Sequence, residues 1–414
     1  MGVIFSRYRL RIPLQVLLNV TLVLLLVFTV GVTNSLFLYR SHEAISLVAH
    51  QLITKARDRV DLYLNNYLSL AEQINRSNVN AVQLERLDPQ NLDEIERQLI
   101  WEIFSFHQIP SILYGNEQGD VRIASNIQGQ KTLGVINHIE GQTLNQYTID
   151  SHGQPSLEPR QTEKLPSDWD VRERPWYLAA KQQQAPTWTP TFQRWDSQEL
   201  AINASWPLRD PITQTLTGVF GINLPLSQVN QFLQKIKLGE SGVIFIIEPD
   251  GKLIASSTGE SPISKSYQGV IHRKWARESS HPLVRATSEY VLSSLLNGSQ
   301  IDPLYSWHFI EQGQHYFAHS LPYKNGENGL NWRIITVIPE ADLMGPLYKS
   351  FKQSMGLGVL AIMGAVALGT WLTQRIVRPI VILSQTAATL AHGDLEQNLD
   401  ENLPIQELAG MARS

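Results

Sequence analysis

Asp170, Arg172, Glu173, Arg174, Pro175, Trp176 and Tyr177 stand almost contiguously, interrupted only by Val171. An arginine guanidinium can clamp a carboxylate through two parallel hydrogen bonds. Trp176 and Tyr177 add an apolar wall, a π-face for an ammonium group, and an N–H and an O–H for orientation. Pro175 holds the preceding residue extended, which sets the backbone at Arg174. Trp188 and Trp195 follow closely. These residue types suit the capture of a small carboxylate or amine. They equally suit an arrangement in which Arg174 pairs with Asp170 or Asp168 and the aromatic rings are core; spacing leaves both open.

Other chemistry is poorly represented. The chain has no His-Glu-x-x-His metal pair and no Gly-x-Ser-x-Gly elbow. Gly356 and Gly358 resemble a phosphate loop only if their place inside an apolar stretch is ignored. His392 beside Gly393 lacks the acidic neighbour and the downstream Arg and Pro of a phosphorylated histidine, and reads as a solvated helix end. With no cysteine, disulfides, cysteine-held zinc and thiol catalysis are excluded. No metal and no cofactor is expected. The formal charge of −4 is too small to argue for nucleic acid, and no nucleic-acid partner is expected.

The elements that must position the Arg174 segment are framed by two uncharged apolar stretches, at about residues 14–38 and 355–372. Each is long enough to cross a bilayer as a helix of about 20 residues. Arg7, Arg9 and Arg11 precede the first without any acid, and Arg375 and Arg378 follow the second. Positive charge collects on the cytoplasmic side, so both termini are expected inside and the middle of the chain outside. Lys349 and Lys352 oppose this but are outweighed by the three N-terminal arginines. The first stretch is too long for a signal peptide and has no clear cleavage site after Tyr39, so it reads as an uncleaved anchor.

Beyond it, Ile45, Val48, Leu52, Ala56, Val60, Leu64, Leu68, Ala71 and Ile74 step by threes and fours, which predicts an amphipathic helix. At 1.5 Å per residue it is a rod of roughly 50 Å. Asn91 with Glu94 three residues on predicts the cap of a second helix. Residues 111–114 and 121–124 about a Gly115–Gly119 turn read as a hairpin, and residues 200–205 and 216–224 as further strands. The pattern then recurs. A helix at 226–237 precedes a hairpin at 243–248 and 252–256, then strands at 307–311, 316–321 and 332–338. Two similar α+β units in series are expected; residues 261–303 read only as helix and loop. After the second apolar stretch, Ile376, Ile380, Leu383, Ala387 and Leu390 form a heptad seam broken by Gly393 and Asp394. Ala361, Ala365 and Gly369 make a small-residue stripe suited to close helix packing.

Three features together resemble a bacterial transmembrane receptor with a double Cache (dCache) sensor domain and a HAMP linker. They are the long helix; Arg174, Pro175, Trp176 and Tyr177 followed by Thr187, Trp188 and the 218–224 strand; and Arg378, Pro379, Ile380, Leu383, Leu390, Ala391 with Gly393, Asp394, Leu395, Glu407 and Leu408. The resemblance implies an α+β fold of two tandem PAS-like Cache modules with antiparallel sheets on a long N-terminal helix. Two transmembrane helices and a partial HAMP parallel coiled coil would flank them. It divides the chain into a cytoplasmic 1–12, a span at 13–39, a dCache domain at 40–345, a span at 354–374 and an incomplete HAMP domain at 375–414. Within the sensor, the helix takes 41–78, the membrane-distal module 80–227 and the membrane-proximal module 228–345.

Amino-acid-binding members of this family use an Arg-x-Trp-Tyr core, a Tyr five residues before the Arg, and an Asp on a later strand. Arg174, Trp176 and Tyr177 match. The position five before Arg174 is Trp169, and the late Asp is replaced by Asn223, so the carboxylate half of such a site survives better than the amino half. The implied ligand residues are Arg174, Trp176, Tyr177, Trp169, Trp188 and Asn223. The expected ligand is a small organic molecule, an organic carboxylate or an amino acid; the other expected partners are the membrane and a second copy in a homodimer. The expected function is signal transduction from outside to a cytoplasmic output absent from the sequence, a histidine kinase or an adenylate or guanylate cyclase, with a chemotaxis-type receptor as the alternative. The chain would then be a fragment or truncated form of the receptor. A membrane-anchored external enzyme and a sensor without ligand are the rival readings.

Overall fold

The structure is a computed structural model that describes residues 14–377 and 381, apart from 128, 139–142, 195–196, 198, 266–270, 297–304 and 326–328. The described residues form two compact units, one from within Met1–Val48 and Leu343–Ser414, the other Ala49–Asp342. The heptad seam beyond Val377, His392 and the HAMP expectation lie outside the described residues.

In the first unit, the apolar part of helix α1 (Leu14–Gln83) leaves Leu24, Leu25, Phe28 and Leu36 exposed. Helix α6 (Glu340–Leu372) does the same with Leu357, Leu360, Met363 and Leu368. An apolar helix without a buried face is stable where its surroundings are lipid. Phe351–Arg375 is long and apolar enough to cross a membrane, and Val23–Leu36 is a shorter apolar segment of the same kind. Gly356 and Gly358 lie inside α6, so they form no phosphate loop, and Gly358 packs against Val30.

The second unit is built on the polar half of α1. Its buried stripe runs Ala49, Ile53, Ala56, Val60, Leu64, Leu68, Ala71 and Ile74. The expected helical period is present, but Val48 is 45% exposed and the stripe passes through Ala49 and Ile53 where the sequence reading used Val48 and Leu52. Both registers step by threes and fours; only packing distinguishes them. Burying one such Leu or Ile contributes about 1.5–3 kcal/mol. Helix α2 (Leu92–Ser105) packs on the distal module, and Asn91 caps it as expected, its Oδ1 accepting from the Glu94 N–H at 3.3 Å.

The distal sheet has nine strands among the described residues. They are β1 (Ser111–Asn116), β2 (Val121–Ile127), β3 (Gln130–Ile136), β4 (Thr143–Thr148), β5 (Gln161–Lys164), β6 (Thr187–Trp188), β7 (Phe192–Gln193), β8 (Leu200–Arg209) and β9 (Leu216–Pro225). The order is β5-β4-β3-β2-β1-β9-β8-β6, with β7 also on β8. A one-turn 3-10 helix (Val171–Glu173) and helix α3 (Pro175–Gln183) enter between β5 and β6. β3, β4 and β5 were not legible as strands, because Gln130, Lys131, Thr132, Thr143, Asn145 and Gln146 dilute the apolar alternation.

Helix α4 (Leu226–Gln234) opens the proximal module. Its five-stranded sheet has the order β11-β10-β16-β15-β14, made of β10 (Val243–Ile247), β11 (Leu253–Ser256), β14 (Tyr305–Glu311), β15 (Gln314–Lys324) and β16 (Asn331–Pro339). The unassigned stretch after residue 261 contains a two-stranded ribbon, β12 (Ile263–Lys265) with β13 (Ile271–Arg273), and helix α5 (Pro282–Leu296). All strand pairings described are antiparallel. This is the α+β architecture expected, with helix α1 serving both sheets. Tyr63 of α1 stacks on Phe232 of α4 at 3.7 Å, Asn75 donates to the Ala204 carbonyl of β8 at 2.7 Å, and Tyr323 of β15 donates to Asn65 at 2.8 Å.

Candidate ligand-binding site

One face of the distal sheet carries a cavity of about 220 Å³. Side chains alternate across a strand, so residues two apart in β1 to β4 share this face. Cross-strand register sorts them into rows. One row is polar: Asn223 on β9, Ser111 on β1, Ser125 on β2 and Thr132 on β3 are successive partners. The next is mostly apolar: Leu113, Ile123, Gly134 and Gln146. Trp169, Val171, Arg174, Pro175 and Trp176 cover this floor, and residues 192–194 close one side.

The cover is organised by Asp170. Its Oδ1 accepts from the Arg172 backbone N–H at 2.8 Å and caps the 3-10 turn. Its carboxylate is clamped by the Arg172 guanidinium, with Nη2 at 2.6 Å from Oδ2. That hydrogen bond from Arg172 holds the Asp170 carboxyl below its ordinary range. Arg174 therefore pairs with neither acid that the sequence offered. Its Nε donates to the Asp170 backbone carbonyl at 3.1 Å, and its guanidinium sits 5.6 Å from the centre of the Trp169 ring. No carboxylate among the described residues engages its two terminal nitrogens, and Arg174 lines the cavity. As expected before a proline, Arg174 is extended (φ −77°, ψ 146°), and Pro175 starts α3.

Trp176 lies over Gly115, where an added Cβ would come within 2.9 Å of the indole. Only a residue without a side chain lets the ring approach this closely. Trp169 is 9% exposed and its indole N–H has no acceptor among the described residues. Asn223 accepts at Oδ1 from Asn203 Nδ2 at 2.8 Å, and Asn203 Oδ1 accepts from Ser205 Oγ at 2.8 Å. Among the described residues this arrangement leaves the Asn223 NH₂ without an acceptor.

The structure thus brings Arg174, Trp169, Trp176 and Asn223 together around one cavity. It places Tyr177 and Trp188 outside that lining. Tyr177 is fully buried and its hydroxyl donates to Glu117 at 2.8 Å; burial pushes its pKa far up. Trp188 turns to helix α1, where its N–H donates to Glu72 at 2.9 Å. The sequence reading missed Ser111, Ser125, Thr132 and Gln146. Their signal was present as polar residues on the inward phase of strands that are otherwise apolar on that phase.

A cavity between an antiparallel sheet and an arginine- and tryptophan-bearing cover has the size and lining of a small-molecule site. The family model dCache_1, described as Cache domain, matches residues 40–347. The chain belongs to this family. It is 23% identical over 235 residues to the methyl-accepting chemotaxis protein PctB of Pseudomonas aeruginosa, covering 57% of this chain and 33% of PctB. It is 23% identical over 231 residues to the methyl-accepting chemotaxis protein McpC of Bacillus subtilis, covering 55% of this chain and 30% of McpC. The matched region thus spans about a third of the length of these relatives. Among solved structures, it is similar to the ligand-binding domain of PctB in complex with L-Arg (17% identity, 70% of this chain and 93% of that one, TM-score 0.41). It is also similar to the ligand-binding domain of the Campylobacter jejuni chemoreceptor Tlp3 in complex with 4-methylisoleucine (11% identity, 73% and 93%, TM-score 0.43).

Proposed function

We propose that this protein is a membrane-anchored receptor whose distal Cache module binds a small organic carboxylate in the Arg174 cavity. The observation that carries this reading is the Arg174 guanidinium, which lines the cavity with no carboxylate partner among the described residues. A ligand carboxylate supplies the missing charge and both acceptors. The relatives named for their ligands hold amino acids, which fits a carboxylate on this side of the site.

A route outward from the cavity supports signalling. Residues 192–194 line it, Thr191 just before them donates to Glu248 of the proximal module at 2.6 Å, and Trp188 donates to Glu72 of α1. Glu72 also accepts from Asn325 at the end of β15, at 2.9 Å. One short segment therefore touches ligand cavity, proximal module and long helix. In this reading the modules divide at residues 80–227 and 228–345, spans at 13–39 and 354–374 leave both termini in the cytoplasm, and the receptor works as a homodimer through a HAMP segment at 375–414. The curated relatives favour a chemotaxis-type output over the kinase or cyclase put first from the sequence.

Calorimetry of the full chain in nanodiscs against a metabolite panel tests this. A carboxylate ligand is expected, and Arg174→Ala should weaken it roughly 30-fold or more, as removal of one partner from a desolvated charge pair does. A ligand whose affinity survives Arg174→Ala would remove Arg174 from the site and sink the reading.

A further inference from the structure

The cavity's chemistry narrows the ligand class further than Arg174 alone does. Among the described residues that line it there are two arginines, Arg174 and Arg194, and no aspartate or glutamate. Its polar row, Asn223, Ser111, Ser125 and Thr132, consists of one amide and three hydroxyls, all uncharged. Ser125 and Ser111 already share a hydrogen bond at 3.2 Å, and Asn223 is held by Asn203 so that its NH₂ is without an acceptor among the described residues. A zwitterionic amino acid needs two opposite partners, a cation for its carboxylate and an anion for its ammonium. An ammonium placed beside the Arg174 guanidinium, with no aspartate or glutamate among the described lining residues to pair it, is penalised by both desolvation and like charge. A hydroxyl or carbonyl oxygen in the same place carries no charge and accepts from an amide N–H or a hydroxyl.

We infer that the cavity takes a small hydroxy or oxo carboxylate in preference to an α-amino acid, with Asn223 as the residue that sets the preference. This rests on the reading of the Arg174 cavity as the ligand site. The cavity, of about 220 Å³, lies below the roughly 300–1,000 Å³ of pockets for drug-sized ligands, which suits a small acid.

The experiment pairs each hydroxy acid with its amino twin on the full chain in nanodiscs: L-lactate against L-alanine, L-malate against L-aspartate, and further small hydroxy- and amino-acid twins. Calorimetry should find a hydroxy or oxo acid that binds about ten-fold or more tightly than its twin, a gap of about 1.4 kcal/mol. Asn223→Asp should shrink or invert that ratio, because it supplies an anion for the ammonium. Twins that bind equally or better, with affinity lost in Arg174→Ala, would overturn the preference while leaving the site in place. Binding that survives Arg174→Ala would overturn the site itself, and the absence of binding across the series would overturn both. Should Asn223→Asp fail to fold, the wild-type ratios alone decide.

Discussion

Arg172 and Arg174 stand two residues apart with opposite assignments. Arg172 spends its guanidinium on Asp170 and fixes the cover, which leaves Arg174 tethered through Nε alone. Exchange of the two roles would fill the cavity with an internal ion pair. Gly115 belongs to the same cover, because its missing Cβ admits Trp176. Gly115→Ala should displace that indole and weaken ligand binding several-fold by calorimetry. A separate residue, Glu102 on α2, gives the fold a pH dependence. It is 1% exposed, and burial raises its pKa from 4.5 to about 7, while hydrogen bonds from Asn78 and Gln98 pull it the other way. A raised folded-state pKa means that the protonated form stabilises the fold fully below about pH 4.5 and that this contribution is lost as the pH rises through 7. The loss amounts to about 3 kcal/mol at most. Thermal melts from pH 5 to pH 8 should therefore show Tm falling in the wild type. Glu102→Gln should flatten that slope and melt higher than the wild type at pH 8; parallel slopes would exclude Glu102 as the source.

At the scale of elements, in the proposed reading, the polar row of β1, β2, β3 and β9 receives the ligand and residues 188–194 report it. Glu72 on α1 accepts from Trp188 of the distal module and Asn325 of the proximal one, so a shift of either is felt at the same carboxylate. Trp188→Phe keeps an aromatic ring, though a smaller one, and deletes the donor. Ligand affinity should stay within about three-fold, a change below 1 kcal/mol, because Trp188 lies outside the cavity lining. Hydrogen exchange should show ligand protection retained at residues 192–194 and lost around Glu72; protection that still spreads to Glu72 would reject this route. The polar row explains why the candidate site was only half legible. Arg174, Trp169, Trp176 and Asn223 could be named from a motif. Ser111, Ser125 and Thr132 lie on strands of which the sequence disclosed only two, and their alignment is a matter of strand register.

At the scale of the whole molecule, the apolar segment Phe351–Arg375 begins in α6 and ends just past it, and α1 carries Val23–Leu36. The absence of cysteine makes the expected topology directly measurable. In cells, a membrane-impermeant maleimide should label Thr213→Cys, in an exposed loop between β8 and β9, and should spare Ser6→Cys until the membrane is permeabilised. The reverse pattern would invert the orientation drawn from the N-terminal arginines. Ala365→Arg, placing a charge near the middle of the second apolar segment, should lower insertion by about 2.5–3.5 kcal/mol on translocon scales.

Apolar length, charge placement and the helical period are local properties of the chain. The sequence alone therefore determined the two apolar segments, the long α1 helix, the Asn91 cap, the Cache resemblance and the Arg174 to Tyr177 motif. Tertiary structure decided matters that depend on which residues meet across the sheet. It chose Ala49 and Ile53 over Val48 and Leu52 for the buried stripe, because two helical registers differ only in what packs against them. It gave Asp170 to Arg172, because the capping geometry of a 3-10 turn brings those two together. It turned Tyr177 toward Glu117 and Trp188 toward Glu72, away from the cavity. It also assembled from separate strands the uncharged polar row opposite Arg174, which no spacing along the chain records because hydrogen-bonded register is set between strands, not within them.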